Sequence, residues 1–157
     1  MREYYKILDA LKEYLQENPN VNTIVLGDLF SVDLSKETIF PITNIDVVSV
    51  DFLEHSSIFN IRFIFADIID ETLENKKNQK NVFHGASNLQ DVYNTQLTVA
   101  NLIQSVLKRG NVGDVDYAIS KDQSYTALPF EQRFENLLAG WTLDLAIEVP
   151  NDDVSIC

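Results

Sequence analysis

A chain of 157 residues, 45% hydrophobic and 23% charged, is long enough for one domain with a buried core and too apolar to be disordered throughout. Its 24 acids against 12 bases leave a net charge of −12, which opposes any mode that grips nucleic-acid phosphates or an anionic membrane surface. No apolar run nears the roughly 18 residues of a membrane span, and the start, Met1-Arg2-Glu3-Tyr4-Tyr5-Lys6, lacks the apolar stretch of a signal peptide. One cysteine, Cys157, cannot form an internal disulfide, so the core or partner subunits must supply stability in a cytoplasmic setting or in a particle assembled there.

The spacing of Tyr4, Ile7, Leu8, Leu11 and Leu15 predicts a helix over about Arg2 to Glu17, ended by Asn18-Pro19-Asn20. Val21 to Leu26 reads as a short strand, Gly27-Asp28 as a turn, and Leu29 to Val32 as a candidate second strand. Ile39 to Thr43 leads into Asp46 to Glu54, where Val48, Val50 and Phe52 alternate with Ser49, Asp51 and Leu53. After a turn at His55-Ser56-Ser57, Phe59, Ile61, Phe63 and Phe65 alternate with Asn60, Arg62, Ile64 and Ala66. Two such runs joined by a few polar residues predict an antiparallel hairpin.

Asp70 to Asn81 is polar and of mixed charge, and reads as a loop or arm at about 71–81. A second helix is expected from Asn88, with Asp91 in its first turn and Val92, Gln96, Val99, Ile103 and Leu107 as its inner stripe. Leu89, Tyr93, Leu97, Ala100 and Leu102 widen that stripe, and Lys108-Arg109-Gly110 closes the helix. Val112 to Ile119 is ambiguous, and Ser124 to Phe130 is a candidate strand that Pro129 either places at an edge or ends. From Arg133 to Val149 runs a long strand region with a bulge expected near Ala139-Gly140. Trp141, Leu143, Leu145, Ile147 and Val149 share one side of it, which places Trp141 beneath the second helix, opposite Val99 or Ile103. Asn151 to Cys157 is a polar tail. The order favours a single α+β domain over 1–150, with two helices packed on one face of a mainly antiparallel sheet.

The sequence contains no phosphate-binding glycine motif and no nucleophile elbow. His55 and His84 fall in separate polar connections, and with a single terminal cysteine no zinc site is expected. The acidic groups Asp67/Asp70/Glu71, Asp114/Asp116 and Asp152/Asp153 match no calcium-loop spacing and read as solvated surface. No catalytic residue, metal or cofactor is therefore expected. Arg133, between Phe130 and Phe134, has the chemistry for a bidentate salt bridge within or between subunits, although an ordinary exposed arginine is the plainer reading.

The order helix, antiparallel strands, charged loop, helix and closing strand pair, ending in Arg133-Phe134, Gly140-Trp141 and Val149-Pro150-Asn151, resembles the tail-terminator and head–tail connector (neck ring) proteins of tailed bacteriophages. The resemblance is mainly architectural and carries no catalytic residues. It implies a structural ring subunit, six per ring in tail terminators and twelve in some neck rings, that meets neck or tail-tube proteins while DNA passes through the lumen. Its place would be the virion, assembled in the host cytoplasm.

On that reading Lys76, Lys77 and Lys80 of the arm, with Arg133, are candidate subunit-interface residues, and the three lysines are alternatively a DNA contact. Asp28, Asp33, Asp67 and Asp70 are candidate channel-facing acids that repel phosphates. The competing reading is a small acidic adaptor or immunity-type binding module, monomeric or dimeric, whose charge complements a basic partner or mimics DNA.

Overall fold

The computed structural model describes residues 2–27, 40–69, 89–109, 111–112, 115–116, 125–133 and 137–150. Helix α1 (Arg2–Gln16) buries Ile7, Leu8, Leu11 and Leu15 of the stripe that its spacing dictates, whereas Tyr4, in the first turn, stays exposed. It ends where the Asn18 N–H bonds the Leu15 carbonyl at 3.0 Å, and the Asn18 side chain accepts the Asn20 N–H at 2.9 Å. Strands β1 (Thr23–Leu26), β2 (Ile42–Phe52) and β3 (Ser56–Ile68) follow. Helix α2 (Leu89–Lys108) comes next, then β4 (Asn111–Val112), β5 (Val115–Asp116), β6 (Ala127–Arg133) and β7 (Leu137–Pro150).

Among the described residues five strands form one sheet in the order β1-β2-β3-β7-β6, and β4 and β5 pair as a small separate ribbon. All pairs in the large sheet are antiparallel except β1 with β2. The parallel pair is continued by Gly27, whose N–H reaches the Ile45 carbonyl at 2.9 Å. Its φ of +86° is a conformation that a side chain disfavours.

Strand β3 is the middle strand, and all 13 of its residues pair with β7 in unbroken register. Phe59, Ile61, Phe63 and Phe65 point to one face with at most 1% of their surface exposed. They meet Leu143, Leu145, Ile147 and Val149 from β7 and the inner stripes of both helices in one continuous core. The α+β reading with two helices on one face of the sheet is what the structure contains. A second, smaller core on the opposite face joins Val25, Phe40, Ile42, Ala66 and Leu138.

Three expectations need correction. The bulge lies in β2, between Val47 and Ser49, and not at Ala139-Gly140, where β7 runs straight. It places Val47 and Val50 toward the helices and leaves Val48 as the extra, 56% exposed residue, so Val48, Val50 and Phe52 do not form one buried stripe. The interruption expected at Ala139-Gly140 belongs earlier in the chain, between the end of β6 at Arg133 and the start of β7 at Leu137. On α2, Leu97 and Leu102 are substantially exposed and do not widen the inner stripe. The candidate strand at Leu29–Val32, the arm at 71–81 and the tail lie outside the described residues.

Gly140 is required by close approach and not by a bulge. A methyl group there would collide with the Phe65 carbonyl oxygen and come within 2.7 Å of its carbonyl carbon. Gly140→Ala should cost about 3 kcal/mol, the upper range for overpacking, because backbone must move; chemical denaturation with an unchanged midpoint would contradict this. Gln96 is the converse case. It is fully buried on α2, and neither amide atom has a hydrogen-bond partner. Gln96→Met should raise stability by about 1–2 kcal/mol in the same assay, since it removes an uncompensated desolvation cost and keeps the volume.

Candidate interaction surfaces

The sheet face opposite the helices is only half covered. Beyond the small Phe40–Ile42 core it carries rows of paired residues: Asp46–Arg62–Asp144, Ser49–Asn60–Ala146 and Asp51–Ile58–Glu148. These rows exist because strand alternation sends every second residue of β3 and β7 away from the helices. Arg62 sits at their centre. Its guanidinium bonds Asp144 through Nε at 2.8 Å and Nη2 at 3.3 Å, across 82 residues of sequence. The hydrogen bond to Asp144, then its charge, hold the Arg62 pKa above the ordinary value. Both side chains are about half exposed, so the pair contributes at most about 1 kcal/mol.

Nearby, Asn60 donates to Ser49 Oγ and to Asp51 Oδ2, both at 2.9 Å, and Ser56 Oγ donates to Glu148 at 2.6 Å. Asn60, Arg62 and Asp144 line a shallow trough of about 480 Å³ that runs from Val48 on β2 to Tyr125 and Leu128 at the β6 margin.

A second depression, of about 310 Å³, lies on the helix side between α2 and β6. Leu97, Ala100, Ala127 and Leu143 are its apolar lining, and Asn101, Gln104 and Lys108 its polar lining along α2. The Tyr125 hydroxyl is buried beside it without a hydrogen-bond partner.

The third feature is the β2–β3 hairpin tip, closed by the Leu53 N–H on the Ser56 carbonyl at 2.9 Å. Phe52 is 73% exposed there and Leu53 49%. Tyr4 and Tyr5, packed edge to face, approach the same end of the sheet, with the Tyr4 ring 6.5 Å from Phe59.

The residues singled out from sequence distribute unevenly. Lys76, Lys77, Lys80, Asp28, Asp33 and Asp70 lie outside the described residues. Arg133 ends β6, opposite Leu137. Asp67 is on the helix-covered side of β3, half-buried, where its carboxylate accepts the Ile68 N–H at 2.7 Å. Burial raises its pKa, partly offset by that hydrogen bond.

Trp141 stands on the helix-covered face but is only partly buried. Its Nε1–H donates to the Tyr93 carbonyl at 2.9 Å and the two rings are 5.6 Å apart, so its partner is the first part of α2, ahead of Val99 and Ile103. The Tyr93 hydroxyl in turn donates to the Phe130 carbonyl at 3.4 Å, tying α2 to β6. Burial, then the nearby Glu131 carboxylate, raise the Tyr93 pKa.

Arg62, the hairpin tip and the α2–β6 groove were not identified from sequence. The tip alone had a legible signal, Phe52-Leu53 at the end of an alternating run. The other two need the β3–β7 pairing and the α2 packing.

No helix among the described residues is long and apolar enough to cross a membrane. Among them, no group of three His, Cys, Asp or Glu side chains is placed to hold a metal ion. No family model matches the chain, and no curated protein matches it in sequence.

Asp67 supplies a pH test. A carboxyl with a raised folded-state pKa favours the folded state while protonated, and this contribution is lost as pH rises through the interval from its unfolded to its folded value. Asp67→Asn, which keeps an acceptor for the Ile68 N–H, should therefore raise the melting temperature at neutral pH and leave it unchanged below the ordinary Asp value of about 3.9. A lower melting temperature at neutral pH would contradict this.

Proposed function

We propose that this chain is a structural ring subunit of a tailed-phage virion, acting as a tail terminator or head–tail joining protein around the DNA channel, with no catalytic role. The observation that carries the reading is the placement of exposed apolar side chains on both flanks of the sheet. Val48, Phe52 and Leu53, with Tyr5 nearby, mark the β2 side, and Leu128 and Leu97 mark the β6–α2 side. Different exposed apolar side chains on opposite flanks suit heterologous, head-to-tail contacts that close by rotation.

The net charge of −12 supports the DNA-conduit part of the proposal, since a wall of carboxylates repels phosphates and lets DNA pass without adhesion. Neck or tail-tube proteins would be its axial neighbours.

Light scattering, native mass spectrometry and negative-stain imaging of the purified chain test the assembly. The expected result is a closed ring at a discrete large multiple of 17.9 kDa, with no DNA affinity at moderate salt. A monomer or dimer at all concentrations would favour the acidic-adaptor alternative, and tight, salt-sensitive DNA binding would overturn the conduit.

A further inference from the structure

We propose that the β2–β3 hairpin tip of one copy seats in the groove between α2 and β6 of the next copy. The tip presents Phe52 and Leu53 between two exposed acids, Asp51 and Glu54. It is held in shape by the Leu53–Ser56 turn bond and by the Asn60 bond to Asp51. Phe52 and Leu53 form an apolar knob that is largely exposed.

The groove has the complementary form. Its volume of about 310 Å³ admits an aromatic ring and part of the leucine beside it, and Leu97, Ala100, Ala127 and Leu143 give it an apolar lining. Lys108 lines its end, and Arg109, the next residue in the chain, is exposed. Among the described residues, Lys12 lies 3.8 Å from Asp9 and Arg62 is bonded to Asp144, whereas Lys108 and Arg109 have no ion pair. An incoming Phe52-Leu53-Glu54 therefore brings apolar groups to the apolar lining and the Glu54 carboxylate to the unpaired Lys108.

Knob and groove cannot meet within one copy. They are separated by the β3 and β7 strands across the sheet, and by about 20 Å along β3 between Ser57 and the Phe63 level of Leu143. The occupant is a second copy, and since the two surfaces differ, each copy retains a free knob and a free groove after one contact forms. That is the geometry of a closing or growing chain of subunits. The inference rests on the ring-subunit reading in that both require like chains to associate.

The test uses the full chain and single substitutions at exposed positions, Phe52→Asp in the knob and Leu97→Glu in the groove, with thermal melts to establish that each variant folds. By native mass spectrometry the unmodified chain should form multimers. Each variant alone should be monomeric, with association weakened at least about tenfold, as for a hot-spot residue. Mixed in equal amounts, the two should recover one intact contact and give a 1:1 dimer that grows no further. Independently, Glu54→Lys should weaken assembly and Lys108→Glu should restore it in the double variant.

Multimers that survive both single substitutions would overturn the docking and leave the ring reading standing. Loss of assembly in each variant with no dimer in the mixture would also overturn it. A monomeric parent chain, with no dimer in the mixture, would remove both.

Discussion

The pairing of β3 with β7 is the constraint on which the rest of this structure depends. It joins residues 56–68 to residues 138–150, segments far apart in the chain, and so carries a loop-closure cost before any contact rewards it. The reward is the phenylalanine stripe. Phe59, Phe63 and Phe65 become fully buried only when β7 stands beside β3 and α2 lies across both. The closest point of the pairing is Gly140 against the Phe65 carbonyl, where nothing larger fits. Move β7 away and β6 loses its only partner among the described strands, α2 loses its floor, and Arg62 loses Asp144.

From that pairing the two faces of the sheet follow. Alternation sends one set of side chains into the helices and the other set outward, and the outward set is split between a small core at one end and a polar array at the other. In the polar array three carboxylates have partners: Asp144 is bonded to Arg62, Asp51 to Asn60, and Glu148 to Ser56. Polar groups paired in this way are satisfied where they stand. The uncovered apolar groups lie elsewhere, at the hairpin tip and the β6 margin. Single exposed apolar residues are ordinary, but Phe52 and Leu53 together on a turn, with the Tyr4–Tyr5 pair at the same end, are concentrated enough to need an explanation.

How much of this was legible in the sequence depends on range. The α1 stripe, the inner stripe of α2 and the alternation in β3 and β7 are local periodicities, and the burial they predicted is present except at Tyr4, which is exposed, and Trp141, which is only partly buried. Of the two roles open to Pro129, an edge position or a strand end, the structure has the edge. What failed was information carried by partners. The bulge at Val47–Ser49 answers to the register with β3, and nothing in Asp46-Val47-Val48-Ser49 alone announces it. Gly140 invited a bulge because glycine in a strand serves either a kink or a close approach, and only the neighbouring Phe65 carbonyl decides between them. Trp141 was placed on the correct face, but its partner along α2 depended on where the helix crosses the strand. Arg62 looked like any solvated arginine until Asp144 arrived from the other end of the chain.

The charge of the chain bears on association as much as on DNA. Copies that each carry a net charge of −12 repel one another, so indiscriminate adhesion through the exposed apolar groups is opposed at low salt and only weakly opposed beyond a Debye length of about 8 Å in physiological salt. Apolar attraction by itself is non-directional and would not select one mating over another. Cations are scarce here, and the unpaired Lys108 lines one end of one groove. Among the described surfaces, that groove gives an acidic apolar knob a contact in which the charge term changes sign. General repulsion combined with a single local attraction would let a strongly acidic subunit, in the assembly proposed above, associate in one register while its remaining carboxylates stay free to line the enclosed space.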